Sequence, residues 1–200
     1  MRTVAIIVLV LLGCRVAPRR TANEDGRALR AALLQREADD QGAREALVAA
    51  MSAGQAPDSL AIDRVRTVDV ANTAWLKEVV ARHGWPGRRL VERDGAAAAF
   101  LLVQHADHDT AWQAQVLPLL ERAHEISDME GQHVALLTDR VAVARDRPQV
   151  YGTQSVVRDG RIVLRPIADS AGVDARRAHL GLPPLAVYLR MLDSVYRRRP

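Results

Sequence analysis

Apolar residues recur every three or four positions along most of the chain, which is the spacing of one face of an α-helix. Two amphipathic helices are predicted from this pattern, one at about 27–51 and a stronger one at 62–83. Gly84 and Pro86 follow the second stretch and are typical of a helix end, because glycine adopts the left-handed conformation easily and proline cannot continue the hydrogen-bond ladder. The first third of the chain is therefore predicted to be helical.

The segment 95–105 is apolar on all sides and predicts a central, tightly packed helix. Asp107 or Asp109 then offers a side-chain acceptor to the exposed amides at the start of a following helix. Ser127 and Glu130 have the spacing of a capping box and predict that another helix begins there.

The pattern changes beyond residue 147, where two short β-branched runs flank Asp159 and Gly160, the preferred composition of a two-residue hairpin turn. The register that this turn sets leaves apolar side chains on both faces, so we expect the hairpin, at about 151–166, to pack against helices. A short helix near Asp174 and a last helix after Pro184 follow. The predicted fold is mainly α, formally α+β: a helical array with one hairpin near the C-terminal third.

The N-terminus has the features of an export signal. An arginine at position 2 precedes an apolar run from Val4 to Leu12, which is shorter than the ~20 residues of a membrane span and within the ~7–15 of a signal peptide. The run ends in Leu-Leu-Gly-Cys14, which resembles the bacterial lipobox, whose cysteine is lipidated and, after cleavage, acylated (for instance by palmitate). The alternative is a buried N-terminal strand with an idle cysteine.

The expected organisation is therefore a signal peptide at 1–13, a lipidated Cys14 with a tether at 14–26, and a single domain at 27–200. The membrane is then a partner through the lipid on Cys14. Arg15 follows the cysteine, and the resemblance to lipoproteins implies the periplasmic face of the outer membrane, or the cell surface in a bacterium with one membrane.

The amino-acid composition limits the classes of function that the protein can have. The 200 residues carry a net charge of +4, but Lys77 is the only lysine and the arginines are scattered among acids, so nucleic-acid binding is not expected. A single cysteine excludes an internal disulfide, and no Cys/His cluster has zinc spacing. No phosphate loop or nucleophile motif is present, and we predict no cofactor.

The densest group of polar residues lies at 104–109, where a predicted helix ends. His105 is a candidate general base there, with Asp107 or the more distant Asp139 as the acid that orients it, and Gln104 as a ligand contact. The alternative is helix capping by the same side chains. A metal site is not predicted, because adjacent residues point in different directions.

Further candidates are neutral or basic. The segment 148–154 offers a hydrogen-bonding surface suited to a sugar or a peptide, and two arginines near position 177 are placed to bind a carboxylate. The predicted ligand-binding residues are Gln104, Arg140, Gln149, Tyr151, Gln154, Arg176 and Arg177. Surface ion pairing and edge-strand polarity are the alternatives.

Five segments together resemble a bacterial family of domains of unknown function. They read Gly-Trp-Pro at 84–86, Gln-His-Ala-Asp at 104–107, Leu-Thr-Asp-Arg at 137–140, Pro-Gln-x-Tyr-Gly-Thr-Gln at 148–154, and Arg177 before Leu-Gly-Leu at 180–182. The resemblance implies that their polar residues converge on one site, and it implies no activity.

Three functions remain open from the sequence. The favoured one is an envelope lipoprotein that binds a polar ligand, a glycan or a peptide, through Gln149, Tyr151, Gln154 and an arginine. The second is a hydrolase or transferase in which His105 acts with Asp139, Tyr151 and Arg177. The third is a purely structural lipoprotein.

Overall fold

Long helices dominate the protein, as the periodicity predicts. The computed structural model describes residues 22–56, 58–158 and 161–197. Within these ranges the helices are α1 (Ala22–Ser52), α2 (Ser59–His83), α3 (Arg88–Gln104), α4 (Thr110–Glu125), α5 (Gly131–Ala144), α6 (Val173–His179) and α7 (Leu185–Arg197), and one hairpin joins β1 (Ser155–Arg158) to β2 (Arg161–Leu164). The mainly α fold with one hairpin is confirmed.

Helix α3 is the centre of the core. Its small residues and the apolar residues that follow them are buried almost completely, and α1 packs along it with α2 beside both. Small side chains allow this close approach of helix axes. Backbone angles depart from helical values at Val91 and Glu92, where φ of Glu92 is 60°, so α3 is kinked near its start. The predicted central helix at 95–105 lies beyond the kink and is confirmed.

Helix α1 begins before the predicted domain start. It starts at Ala22, so residues 22–26 are helical and the predicted tether at 14–26 is wrong over that part. Gly26 is buried, and a Cβ added to it would lie 2.5 Å from the main-chain oxygen of Leu90. This contact with the start of α3 explains why the helix extends back. The predicted signal peptide and Cys14 lie outside the described residues.

Asp109 and Asp128 both accept a main-chain amide at a helix start, Asp109 as predicted and Asp128 at α3. Asp109 accepts a hydrogen bond from the amide of Trp112 and caps α4, as expected. The capping box at 127–130 is wrong: Ser127 has φ of 58°, and α5 begins at Gly131 without a side-chain cap. Asp128 instead accepts the amide of Arg89 at 2.7 Å, at the start of α3. The α4–α5 connection therefore stabilises α3.

The hairpin has the predicted register, with Val156 opposite Val163 and Val157 opposite Ile162. Its turn, at 159–160, lies outside the described residues. The side chains of Val157 and Val163 are exposed and those of Val156 and Ile162 are half-buried. The expectation that the hairpin packs against helices is therefore wrong for two of these four side chains. The hairpin is held at its base, where Gln149 pairs with Ile167.

Among the described helices, none combines the length and apolar character that crossing a bilayer requires.

Candidate functional site

His105 lies at the C-terminal end of α3 and faces a buried acid on α1. Its Nδ1 is 3.0 and 2.9 Å from the two carboxylate oxygens of Asp40. Asp40 is fully buried, whereas His105 keeps part of its ring exposed. The acid that holds the imidazole is thus neither Asp107 nor Asp139, the two predicted from sequence.

Sequence reasoning does not single out Asp40, because it stands beside other acids, Glu37 and Asp39, on α1. Its position carries a signal, since it lies seven residues after Leu33 and seven before Leu47, in the row that faces the core. An acid in the middle of an apolar row is buried only when polar groups satisfy it. Asp69 has a similar position on α2, where it lies one helical turn after the apolar Val65.

Arg44 joins the two acids. Its Nη1 donates to Oδ1 of Asp40 and its Nη2 to Oδ1 of Asp69, both at 2.7 Å. Burial raises the pKa of the Asp40 carboxyl, but hydrogen bonds from His105 and Gln41 and the charge of Arg44 outweigh burial and hold that pKa below its usual value. Burial raises the pKa of Asp69 above its usual value, and Arg44 offsets only part of the rise. The two acids therefore differ in how readily they take up a proton.

A pocket of about 370 Å³ opens beside His105, between α1, α2 and the α3–α4 junction. One wall is apolar and the other is charged. The lining residues are Arg44, Leu47, Ile62, Val65, Arg66, Asp69, His105, Asp107 and His108. None of these described residues carries a hydroxyl or a thiol, so the pocket offers no side-chain nucleophile of the serine or cysteine type.

Asp40, Asp69 and His105 could each offer a ligand atom to a cation, since the three atoms lie within 4.8 Å of one another. The guanidinium of Arg44 occupies the space between the carboxylates and donates to both. Both oxygens of Asp40 already accept hydrogen bonds, from His105, Gln41 and Arg44. A cation would have to displace the arginine, so the arrangement fits an acid–base pair better than a metal site.

The second predicted acid, Asp139, has a different role. It is fully buried on α5 and accepts hydrogen bonds from the amides of Val150, Tyr151 and Thr153 at 2.6, 2.9 and 2.8 Å, and from the Thr153 hydroxyl at 2.9 Å. Every hydrogen bond that Asp139 makes with the described residues goes to this loop. It folds the loop and does not orient His105.

The glutamines of the loop also stabilise its conformation. Gln149 is fully buried, and its amide donates to the carbonyls of Gln154 and Arg165 while its oxygen accepts the amide of Gln154. The Gln154 side chain donates to the Thr153 hydroxyl at 3.1 Å. Burial, followed by the charge of Asp139, raises the pKa of the Tyr151 phenol. These side chains hold the loop in shape.

The two arginines of α6 point to the same loop. Arg176 donates to the carbonyl of Val150 and to Asp169. Arg177 is buried and donates to the carbonyls of Tyr151 and Pro183. Both guanidinium groups therefore form hydrogen bonds with other groups of the protein.

One ion pair connects the two regions. Asp107 accepts from Nη1 of Arg140 at 2.6 Å, which ties the α3–α4 junction to α5, next to Asp139 in sequence. The main-chain oxygen of Gln104 accepts a long hydrogen bond from Gln113. The expected single site is thus two clusters: His105 with Asp40 beside one pocket, and Asp139 with Gln149, Tyr151, Gln154 and Arg177 around the loop.

Comparison with known proteins finds a family and no characterised relative. No curated protein and no solved structure matches the chain. A family model, described as a family of unknown function (DUF6624), matches residues 27–199, which is nearly the whole of the described fold. The protein therefore belongs to this family of unknown function.

Proposed function

We propose that the protein is a hydrolase in which His105, oriented by Asp40, activates a water molecule. The observation that carries the proposal is the contact of Nδ1 with a fully buried carboxylate while the same ring lines an open pocket. A carboxylate on Nδ1 fixes the tautomer in which Nδ1 carries the proton and Nε2 is free to act as a base.

The chemistry follows from what lines the pocket. Because no lining residue supplies a hydroxyl or thiol nucleophile, the attacking group is water, whose proton passes to Nε2 of His105. The imidazolium that results is stabilised by the ionised Asp40, whose low pKa keeps it charged. Arg66 lines the same pocket and brings positive charge towards the oxygen that becomes negative at an attacked ester carbonyl, and His108 lines it as a second hydrogen-bonding ring.

The favoured sequence hypothesis, binding of a glycan or peptide by Gln149, Tyr151, Gln154 and an arginine, has less support from the geometry. Both glutamines use their side-chain amides on groups of the protein itself. Gln149 donates to the carbonyls of Gln154 and Arg165. Gln154 donates to the Thr153 hydroxyl and to the carbonyl of Leu136. The predicted catalytic set of His105 with Asp139, Tyr151 and Arg177 is replaced by His105 with Asp40, since Asp139 is saturated by loop donors.

We also propose that the hydrolase acts at the cell envelope, held by a lipid on Cys14. The support is the arrangement of arginine, apolar run and Leu-Leu-Gly-Cys in the first fourteen residues. A helical domain that begins at Ala22 would then lie within a few residues of the anchor.

The test is hydrolysis of p-nitrophenyl acetate and p-nitrophenyl butyrate. We expect kcat/KM to rise with pH through one ionisation, because His105 must be neutral to accept a proton. The His105→Ala variant should lose about 10²–10⁴-fold in kcat/KM. Asp40→Asn should lower kcat more than it changes KM, because the amide no longer fixes the tautomer.

His83→Ala is the matched control, since His83 is an exposed histidine at the end of α2 and does not line the pocket. It should hydrolyse both esters at the parent rate. Equal rates for the parent and His105→Ala would show that surface histidines cause the reaction, and the proposal would then fail. Absence of turnover with both esters would also contradict it.

A further inference from the structure

A second, smaller cavity lies beneath α7, away from the His105 pocket. Its volume is about 140 Å³, and it is more enclosed than the other pockets. The residues around it are Gln132, Leu136, Thr153, Arg177, Leu182, Pro183, Tyr188 and Met191. Most of this lining is apolar, and one charged side chain, Arg177, contributes to it.

Arg177 is a buried cation that no carboxylate of the described residues contacts directly, although the charges of Asp174 and the buried Asp139 act on it from a distance. Its exposed fraction is 1%, and its hydrogen bonds with the described residues go to two neutral carbonyls, from Nε to Pro183 at 2.7 Å and from Nη1 to Tyr151 at 2.7 Å. The guanidinium carbon lies 4.8 Å from the centre of the Tyr188 ring. No carboxylate of the described residues forms an ion pair with it. Burying a charge in this way is costly, because water is removed and no carboxylate contacts the guanidinium in its place.

The unused donor is Nη2. Within the described part of the chain it makes no hydrogen bond, although Nε and Nη1 do. Backbone carbonyls on Nε and Nη1 fix the plane of the guanidinium, so the remaining edge is held in one direction beside the cavity. Burial lowers the pKa of Arg177, and the charges of Tyr188, Asp174 and Asp139 offset only part of this effect.

Cavity size limits the ligand. A cavity of ~150 Å³ in another protein holds benzene, so about 140 Å³ accepts a group of similar size. Leu136, Leu182 and Pro183 suit an apolar group, and an arginine edge suits a planar carboxylate. A phosphate would need several further donors, such as successive backbone amides at a helix start. Besides Arg177, the donors in the lining are the amide of Gln132 and the hydroxyls of Thr153 and Tyr188, and the Thr153 hydroxyl already donates to Asp139.

Helix α7 forms the cover of this cavity. It is strongly amphipathic, and its Tyr188 lies over Arg177 while Met191 stands at the rim with 56% of its surface exposed. The start of α7 is fixed by Asp174, which accepts the amide of Leu185 at 2.7 Å. A ligand can therefore enter past Met191 without disturbing the attachment of α7 to α6.

We propose that the cavity beneath α7 binds a small monocarboxylate, with its carboxylate on Nη2 of Arg177 and its apolar part between Leu136, Leu182 and Pro183. This site is separate from His105 and does not depend on the proposed hydrolysis. The ligand neutralises the buried guanidinium and fills the apolar space beside it.

The experiment is calorimetric titration of the full chain with 3-methylbutanoate and, separately, with 3-methylbutanamide, an uncharged molecule of the same shape. We expect saturable binding of the acid and at least about tenfold weaker binding of the amide, because a hydrogen bond to a charged group contributes about 1.5–3 kcal/mol. Equal affinity for the two would contradict recognition by Arg177. No binding of the acid at about 10 mM, well above a millimolar dissociation constant, would also contradict it.

Two methionine variants locate the site. Met191→Trp should fill the rim and weaken binding of the acid at least about tenfold, whereas Met51→Trp, at an exposed methionine on α1, should bind as the parent does. Arg177→Gln is less informative because it removes two backbone hydrogen bonds and endangers the fold. Unchanged binding in Met191→Trp would place the carboxylate elsewhere and overturn the proposal.

Discussion

Two aspartates, Asp40 and Asp139, are both fully buried on helices, yet their partners differ in kind. The donors to Asp139 are three backbone amides and one hydroxyl of a single loop. The donors to Asp40 are side chains, and one of them, His105, reaches an open pocket. A carboxylate satisfied by backbone amides fixes the chain, whereas a carboxylate satisfied by an imidazole fixes a side chain that can react.

The two polar segments that the sequence singles out, 104–109 and 148–154, show the same contrast. The sequence predicts that the segment at 148–154 presents hydrogen-bonding groups to a ligand, whereas its glutamines bond to each other and to carbonyls of Arg165 and Leu136. The segment at 104–109 was predicted to hold a base, and His105 retains one ring nitrogen for such a role. Both segments are rich in polar residues. Only the hydrogen-bond partners of those residues show which segment has a structural role and which can take part in a reaction.

The largest expected effect is on the structural aspartate. Asp139→Ala leaves four buried donors without an acceptor, so we expect the free energy of unfolding to fall by about 3–5 kcal/mol. Urea denaturation measures this directly. Asp63→Ala, at an exposed acid on α2, should change the free energy by less than about 0.5 kcal/mol. A loss below about 1 kcal/mol for Asp139→Ala would mean that the loop does not depend on it.

A second prediction concerns His133, which stacks on Phe100 with ring centres 4.2 Å apart and has no partner for its buried Nδ1 among the described residues. Burial lowers the pKa of His133 from 6.5 to about 4. Between pH 6.5 and pH 4, His133 is protonated in the unfolded chain and neutral in the folded protein. The free energy of unfolding is therefore highest above pH 6.5 and decreases as the pH falls.

The loss should reach about 3 kcal/mol by pH 4, and it is measured as the pH dependence of urea denaturation. His133→Phe keeps a ring against Phe100. In this variant the free energy of unfolding should change less between pH 6.5 and pH 4, because the contribution of His133 is removed. An unchanged pH dependence would show that His133 titrates equally in both states.

The fold follows from local patterns to a large extent. Spacing of apolar residues predicts the helices, Asp159-Gly160 predicts the hairpin register, and Asp109 is recognised as a helix cap. These features depend on neighbours within a few residues. The capping box at Ser127 fails because the chain there turns towards the start of α3, a long-range contact that overrides the local motif.

The site depends on contacts that spacing does not encode. Asp40 and His105 are separated by 65 residues, and only the packing of α1 against α3 brings them together. The one usable signal is an acid within an apolar row of α1, which indicates burial but not the partner. Tertiary packing selects that partner.

The most direct test of the central claim is the tautomer of His105, measured by two-bond nitrogen–proton NMR of the imidazole in the parent and in Asp40→Asn. We predict that neutral His105 in the parent carries its proton on Nδ1, facing Asp40, with Nε2 unprotonated. In Asp40→Asn this preference should disappear. A parent protein with the proton on Nε2, or a tautomer that Asp40→Asn leaves unchanged, would contradict the account.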